Sequence, residues 1–330
     1  MAIPDIYKQG IASGWKVVDA ATLVSPTTLE ADVAIVGSGA GGGVAAEILS
    51  LAGLKVVLLE EGGLFTSDSF RDMDEARAYR DLYQEASARA TSDGAISVMQ
   101  GRSVGGSTTV NWSSSFRTPP QTLQHWASQH EVVGHGVDDM APWFARMEER
   151  LGIAPWAVPP NANNNVLKAG CDKLGWESHV IPRNVKGCWD SGYCGFGCPV
   201  NAKQSMLVST IPVALRNGAT LVHRLRVLRL EHADGRITAA VGEALRADGR
   251  TPSGVAVTVR ARHVVAAGGA INTPALLLRS RLPDPHQLLG KRTLIHPVVV
   301  SLALMPDRID PYYGCLLYTS PSPRDRTRSR

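Results

Sequence analysis

Two groups of residues in this chain could hold a large anionic ligand. The first is Gly37-x-Gly39-x-x-Gly42, placed between the apolar run Asp32–Val36 and a helix-favouring stretch. At this spacing Gly37 would make a turn closed to other residues, and Gly39 would bring the backbone against a pyrophosphate. Gly42 would seat the helix close to a sheet. Ala46 and Gly53 would keep that helix thin, and its free N-terminal N–H groups and positive dipole end would face the phosphates. A second apolar run, Lys55–Leu59, ends at Glu60, eighteen residues after Gly42. A carboxylate there would accept both ribose hydroxyls of an adenosine. An acid in place of an arginine argues against a 2′-phosphate, and so against NADP. The turn alone does not separate NAD from FAD.

The second group lies in Gly101–Pro119, GRSVGGSTTVNWSSSFRTP. The adjacent Gly105 and Gly106, followed by a run of hydroxyl side chains, would let backbone lie flat against a planar ring or a pyrophosphate. A third stretch, Cys188–Pro199, holds Cys188, Cys194 and Cys198 at C-x5-C-x3-C spacing. Zinc sites use C-x2-C pairs, and an iron–sulfur cluster would need a fourth ligand, for which Cys171 is the nearby candidate. A packed glycine-rich loop with no metal is the expectation, with a redox pair and a metal site as alternatives.

The elements that must position these residues read as α/β. The chain has 330 residues, 44% hydrophobic content and 32 glycines, enough to bury a large core. Residues 1–30 read as an extension with a short amphipathic piece around Ile6–Trp15. Ser69–Ala90 reads as a solvated helix, and Gln121–Ile153 as helical with Trp126, Trp143, Phe144 and Met147 as its apolar positions. The stretch Ser209–Asn217 suggests a helix, while Thr220–Leu230 and Val255–Val265 suggest strands. Asp234-Gly235 and Asp248-Gly249 mark hairpin turns between them.

The formal charge of +4 is concentrated at one end: Arg324–Arg330 carries four arginines against one aspartate. The remainder is near neutral, which argues against a nucleic-acid partner. No apolar run reaches the length of a membrane helix, and MAIPDIYKQG has no signal-peptide character. The default is cytoplasmic with reduced thiols, peripheral membrane association being left open.

The stretch Gly101-Arg102-x-Val104-Gly105-Gly106-Ser107-Thr108-x-Val110-Asn111 resembles the first signature of the glucose–methanol–choline (GMC) flavoprotein oxidoreductases. Gly269–Ser280, GAINTPALLLRS, resembles their second signature up to Ser280, where Arg281 replaces the usual glycine. The variant NWSSSFRTP, with Trp112 after Asn111, is similar to the long-chain alcohol oxidase branch and related bacterial alcohol dehydrogenases. That branch also carries a cysteine-rich loop before a segment like Lys203-Gln204-Ser205. The resemblance implies FAD, with the turn and Glu60 on its ADP half and Arg102, Gly105, Gly106, Ser107, Asn111, Trp112 and Ser113 along pyrophosphate and flavin. It implies that Val227 holds the adenine through its backbone. No histidine lies in the loop, so the FAD is expected to be non-covalent.

It further implies a Rossmann-like FAD-binding domain, a parallel sheet with a β-meander, in two parts, 31–117 and 204–297. A cap or substrate-side insertion would occupy 118–203, and an incomplete substrate domain would begin at 298–314. The implied activity is oxidation of an alcohol CH–OH group, with oxygen, a quinone or a redox protein as acceptor. The family's proton-accepting histidine has no match here. His296, before Pro297, is a lone histidine outside that motif, so no catalytic residue is assigned. Residues 315–330, CLLYTSPSPRDRTRSR, have no periodicity and read as a foreign tail. The chain by itself is therefore expected to be inactive. An NAD-dependent dehydrogenase and a non-catalytic dinucleotide-binding module are the alternatives.

Overall fold

The computed structural model describes residues 3–156, 158–294, 302–309 and 318–319. His296 lies outside the described residues. Two units divide the chain. The first takes Met1–Asn111, Cys194–Asn201 and Ser205–Val299, and the second takes Trp112–Tyr193, Ala202–Gln204 and Val300–Arg330.

The first unit is built on a seven-stranded sheet. Its strands are β1 (Lys16–Asp19), β2 (Thr27–Val36), β3 (Val56–Leu59), β4 (Thr220–His223), β5 (Leu225–Ala233), β6 (Arg236–Leu245) and β7 (Pro252–Ala266), in the order β1-β4-β3-β2-β7-β6-β5. The five strands from β1 to β7 run parallel. Strands β5, β6 and β7 form an antiparallel meander on one side. This is the expected α/β architecture of a parallel sheet with a β-meander. Residues 1–30 carry more structure than their composition suggests, since they supply edge strand β1 and the start of β2.

Strand β3 is buried along its whole length, Val56 to Leu59, as an apolar run covered on both faces must be. Leu59, Val222, Leu225, Leu230, Val257 and Val259 join one core cluster. Each such side chain contributes about 1.5–3 kcal/mol on burial. The expected strand Thr220–Leu230 is broken at Arg224, which takes φ 55°. There the Arg224 N–H donates to the Gly62 carbonyl, and the Leu225 N–H donates to that of Glu60. The alternating pattern runs through the break, so nothing in the residue types marks it.

Helix α1 (Ala40–Leu51) follows the glycine turn and packs near α2 (Thr210–Arg216). Ala46 is fully buried in it. The close approach is made by Gly43, where a Cβ would stand 2.9 Å from the Met206 Cβ. Gly53 does not thin the helix as expected: it lies beyond the last turn with φ 82° and open space around its missing Cβ.

The expected single helix over Ser69–Ala90 is instead two short helices, Ser67–Arg71 and Glu75–Leu82, and a turn at Gln84–Ser87. Phe70, Met73, Leu82 and Tyr83 are buried, so this segment is half core rather than a solvated cover.

In the second unit, Gln121–Ile153 resolves into helices Pro120–His130 and Val137–Leu151. Trp126 and Trp143 remain exposed. The fixed point of this unit is Arg183, buried, which donates from Nη2 to the Trp112 carbonyl at 3.1 Å and stacks over the Trp156 ring at 4.5 Å. Ile153–Pro155 pairs antiparallel with Pro182–Asn184, and Tyr318–Thr319 with His179–Val180.

Candidate functional site

The carboxyl ends of parallel strands are where an open α/β sheet receives ligands. Here β2 ends at Val36 and β3 at Leu59. Gly37 continues from β2 with φ 101°, a conformation that favours glycine. A Cβ at Gly37 would lie 2.4 Å from the Ala267 carbonyl oxygen, and one at Gly42 would lie 1.8 Å from the Gly37 carbonyl oxygen. Both glycines are therefore required by the backbone itself.

Gly39 differs. It caps α1 with an ordinary φ of −67°, and no side chain caps the helix. The first-turn N–H groups of α1 thus remain available to an anion. Across from Gly39 stands Gly106, with φ 55°, whose Cβ would meet the Gly39 Cα at 2.8 Å. The two glycine loops approach each other backbone to backbone at this point.

Both loops line a cavity of about 950 Å³. Of the candidate site residues, Gly37, Gly39, Glu60, Arg102, Gly106, Ser107 and Val227 line it. Gly42 and Gly105 are not among its lining residues. Gly105, with φ 91°, turns the loop, and its N–H donates to the Ser38 Oγ at 3.0 Å. Asn111 ends the first unit, exposed, with its N–H on the Ser107 carbonyl. Trp112 and Ser113 belong to the second unit, where Trp112 is exposed and Ser113 is buried with φ 65°.

Glu60 is buried and heavily engaged. Its Oε2 accepts from the Ser38 N–H at 3.1 Å and the Ser38 Oγ–H at 2.6 Å, and its Oε1 accepts from the Gly62 N–H at 2.9 Å. Burial pushes its carboxyl above the ordinary range, while these hydrogen bonds hold it back. The next residue, Glu61, lines the same cavity and pairs with two guanidiniums. Its Oε1 lies 2.9 Å from Arg226 Nε and 3.2 Å from Arg102 Nε. Burial works against its charge, but the two arginines outweigh burial and hold it below the ordinary range.

Arg102 is buried and also donates to the Gly249 carbonyl in the β6–β7 hairpin. Val227 lies on β5 beside a bulge between Val227 and Arg229. Ser38, Glu61, Arg226, Arg89 and Gln100 were not among the sequence candidates. Ser38 is the variable position of the turn, and Glu61 follows an acid that already satisfied the motif, so neither stood out.

The cysteines are shared between the units, Cys188 in the second, Cys194 and Cys198 in the first. Gly195 accepts from the Tyr83 hydroxyl at 2.8 Å, and Phe196 packs edge-on against Tyr79. Among the described residues no group of three or more metal-ligating side chains comes together. Among them, too, no helix is long and apolar enough to cross a membrane.

A glycine turn, a helix with no side-chain cap, an acid and a second glycine loop thus meet around one cavity. The family model described as GMC oxidoreductase matches residues 79–298. The chain belongs to the GMC oxidoreductase family. It is 32% identical over 292 residues to a long-chain-alcohol oxidase of Arabidopsis thaliana, covering 87% of this chain and 38% of that protein. It is 36% identical over 294 residues to an uncharacterized GMC-type oxidoreductase of Mycobacterium tuberculosis, covering 88% and 46%. A third relative, from Sinorhizobium fredii, is matched over 58% of its length.

The chain thus spans between 38% and 58% of these curated relatives. Among solved structures it resembles pyridoxine 4-oxidase from Mesorbium loti, with TM-score 0.58 and 20% identity, over 78% of this chain and 53% of that one. A formate oxidase of Aspergillus oryzae aligns with TM-score 0.54 at 16% identity, over 79% and 48%. At these identities the likeness is one of fold. GMC oxidoreductases are FAD-dependent.

Proposed function

We propose that this chain binds FAD non-covalently and forms the cofactor-binding part of an oxidoreductase that acts on the CH–OH group of an alcohol. The observation that carries the reading is the approach of Gly39 and Gly106 over a cavity with Glu60 among its lining residues. Its volume of about 950 Å³ lies at the upper end of the roughly 300–1,000 Å³ of ligand pockets. In this reading α1 and the two glycine loops hold the pyrophosphate, Glu60 holds the ribose, and the Val227 backbone borders the adenine. The FAD would supply the redox chemistry, accepting hydride at the flavin. The named long-chain-alcohol oxidase relatives support an alcohol as substrate.

With no proton acceptor assigned among its residues, the chain by itself is proposed to bind flavin without oxidising alcohol. Purified chain should be yellow, with the two visible bands of an oxidised flavin. A colourless protein that retains NAD would overturn the cofactor assignment, and alcohol-dependent bleaching would overturn the proposed inactivity.

A further inference from the structure

A ribose in this cavity presents two hydroxyls, and Glu60 cannot serve both. A carboxylate offers about four lone-pair positions. Three of them are taken: Oε2 by the N–H and the Oγ–H of Ser38, and Oε1 by the N–H of Gly62. One position on Oε1 remains. These bonds are not readily given up, because Ser38 is fully buried and its hydroxyl also accepts from Gly105.

Glu61 has the capacity that Glu60 lacks. It lines the same cavity, and its side chain is 25% exposed. Both guanidiniums rest on its Oε1, and among the described residues no hydrogen bond ends on Oε2. The two arginines also fix the carboxylate: it cannot turn away without breaking pairs to Arg102 and Arg226. Arg102 is itself held, buried and bonded to the Gly249 carbonyl.

We infer that Glu61 is a second ribose acceptor, so that consecutive carboxylates divide the two adenosine hydroxyls, one to Glu60 Oε1 and one to Glu61 Oε2. This rests on the FAD reading of the cavity.

The test uses flavin-stripped full chain and three ligands, ADP, 2′-deoxy-ADP and 3′-deoxy-ADP, with affinities measured by calorimetry. In the unmodified chain each missing hydroxyl should weaken binding by about tenfold or more, because each bond ends on a charged group. In Glu61→Ala one of the two penalties should fall below about twofold while the other persists. Comparing ligands within one variant cancels any general weakening.

If Glu61→Ala does not fold, Glu61→Gln replaces it. Its amide oxygen must face the two guanidiniums, so its NH₂ takes the place of Oε2 and the same penalty should fall at least threefold. Two full penalties in the variants would overturn the division of hydroxyls while leaving the cofactor reading intact. An unmodified chain that binds ADP with no penalty for either deoxy ligand would do the same. Failure of the unmodified chain to bind ADP at all would overturn both.

Discussion

Substituting Gly39 with alanine separates what the fold needs from what the cofactor needs. At Gly39 φ is −67°, open to any residue, and the nearest atom to an added Cβ is the Gly106 Cα at 3.9 Å. That is ordinary contact, so the folded chain accommodates the methyl. The remaining cost is that of alanine instead of glycine at a helix N-cap, under about 1 kcal/mol, or a few degrees in Tm. The methyl does, however, enter the gap between the two glycine loops. Overpacking at a fitted contact costs about 1–3 kcal/mol, which converts to roughly 5- to 150-fold in FAD affinity.

Gly42→Ala is the counterpart. Its Cβ would stand 1.8 Å from the Gly37 carbonyl oxygen, with the Ala267 Cβ at 3.3 Å. Backbone must move, and a loss of about 4 kcal/mol or more in stability is expected. Thermal melts of the flavin-free chain and titration of FAD by fluorescence quenching read the two effects separately. Gly39→Ala should melt near the unmodified chain yet bind FAD weakly, whereas Gly42→Ala should fail in both. A Gly39→Ala chain with unchanged FAD affinity would refute the passage of the pyrophosphate past Gly39.

Ser38→Ala removes the strongest of the hydrogen bonds that hold the Glu60 carboxyl down, so that group should protonate at a higher pH. Because the hydroxyl of a ribose donates to the ionised form, FAD affinity in the variant should begin to fall earlier on acidification, as a titration series across the acid range would show. His223 is buried beside Asp19 at 3.8 Å, and burial first, then Arg224, outweighs Asp19 and depresses its pKa from 6.5 to about 4. The neutral ring therefore stabilises the fold above pH 6.5, and that contribution is lost as pH falls toward 4, by about 3 kcal/mol. Denaturant melts of His223→Gln should show a shallower decline over that interval, and an identical decline would disprove the assignment. Unfolding the loaded chain in denaturant should release all flavin into the filtrate, since no histidine stands in Gly101–Pro119 to hold it covalently; flavin retained on the protein would contradict this.

Much of the sheet could be read from residue types, because buried parallel strands announce themselves as apolar runs and the glycine turn allows few structures. What could not be read was set by contacts distant in sequence. The break at Arg224 arises from carbonyls of Glu60 and Gly62 presented by a neighbouring segment. The covering segment after Ser67 reads as one charged helix, yet Phe70, Met73 and Leu82 anchor it as separate turns. Gly53 and Gly43 exchange roles for a similar reason. Thinness matters where Met206 and Thr210 press on the helix, and no local pattern says where that is.

The same reasoning applies to the site, where Ser38 is the clearest case. Its hydroxyl donates to Glu60 in one direction and receives the Gly105 N–H in the other. It thereby joins the turn after β2, the acid after β3 and a loop 67 residues further along. A motif written as Gly-x-Gly treats that position as empty of meaning, because the glycines alone satisfy the backbone. In this chain the variable residue decides how many acceptors Glu60 has left. With one acceptor left on Glu60, the second ribose hydroxyl falls, in the proposed division, to Glu61.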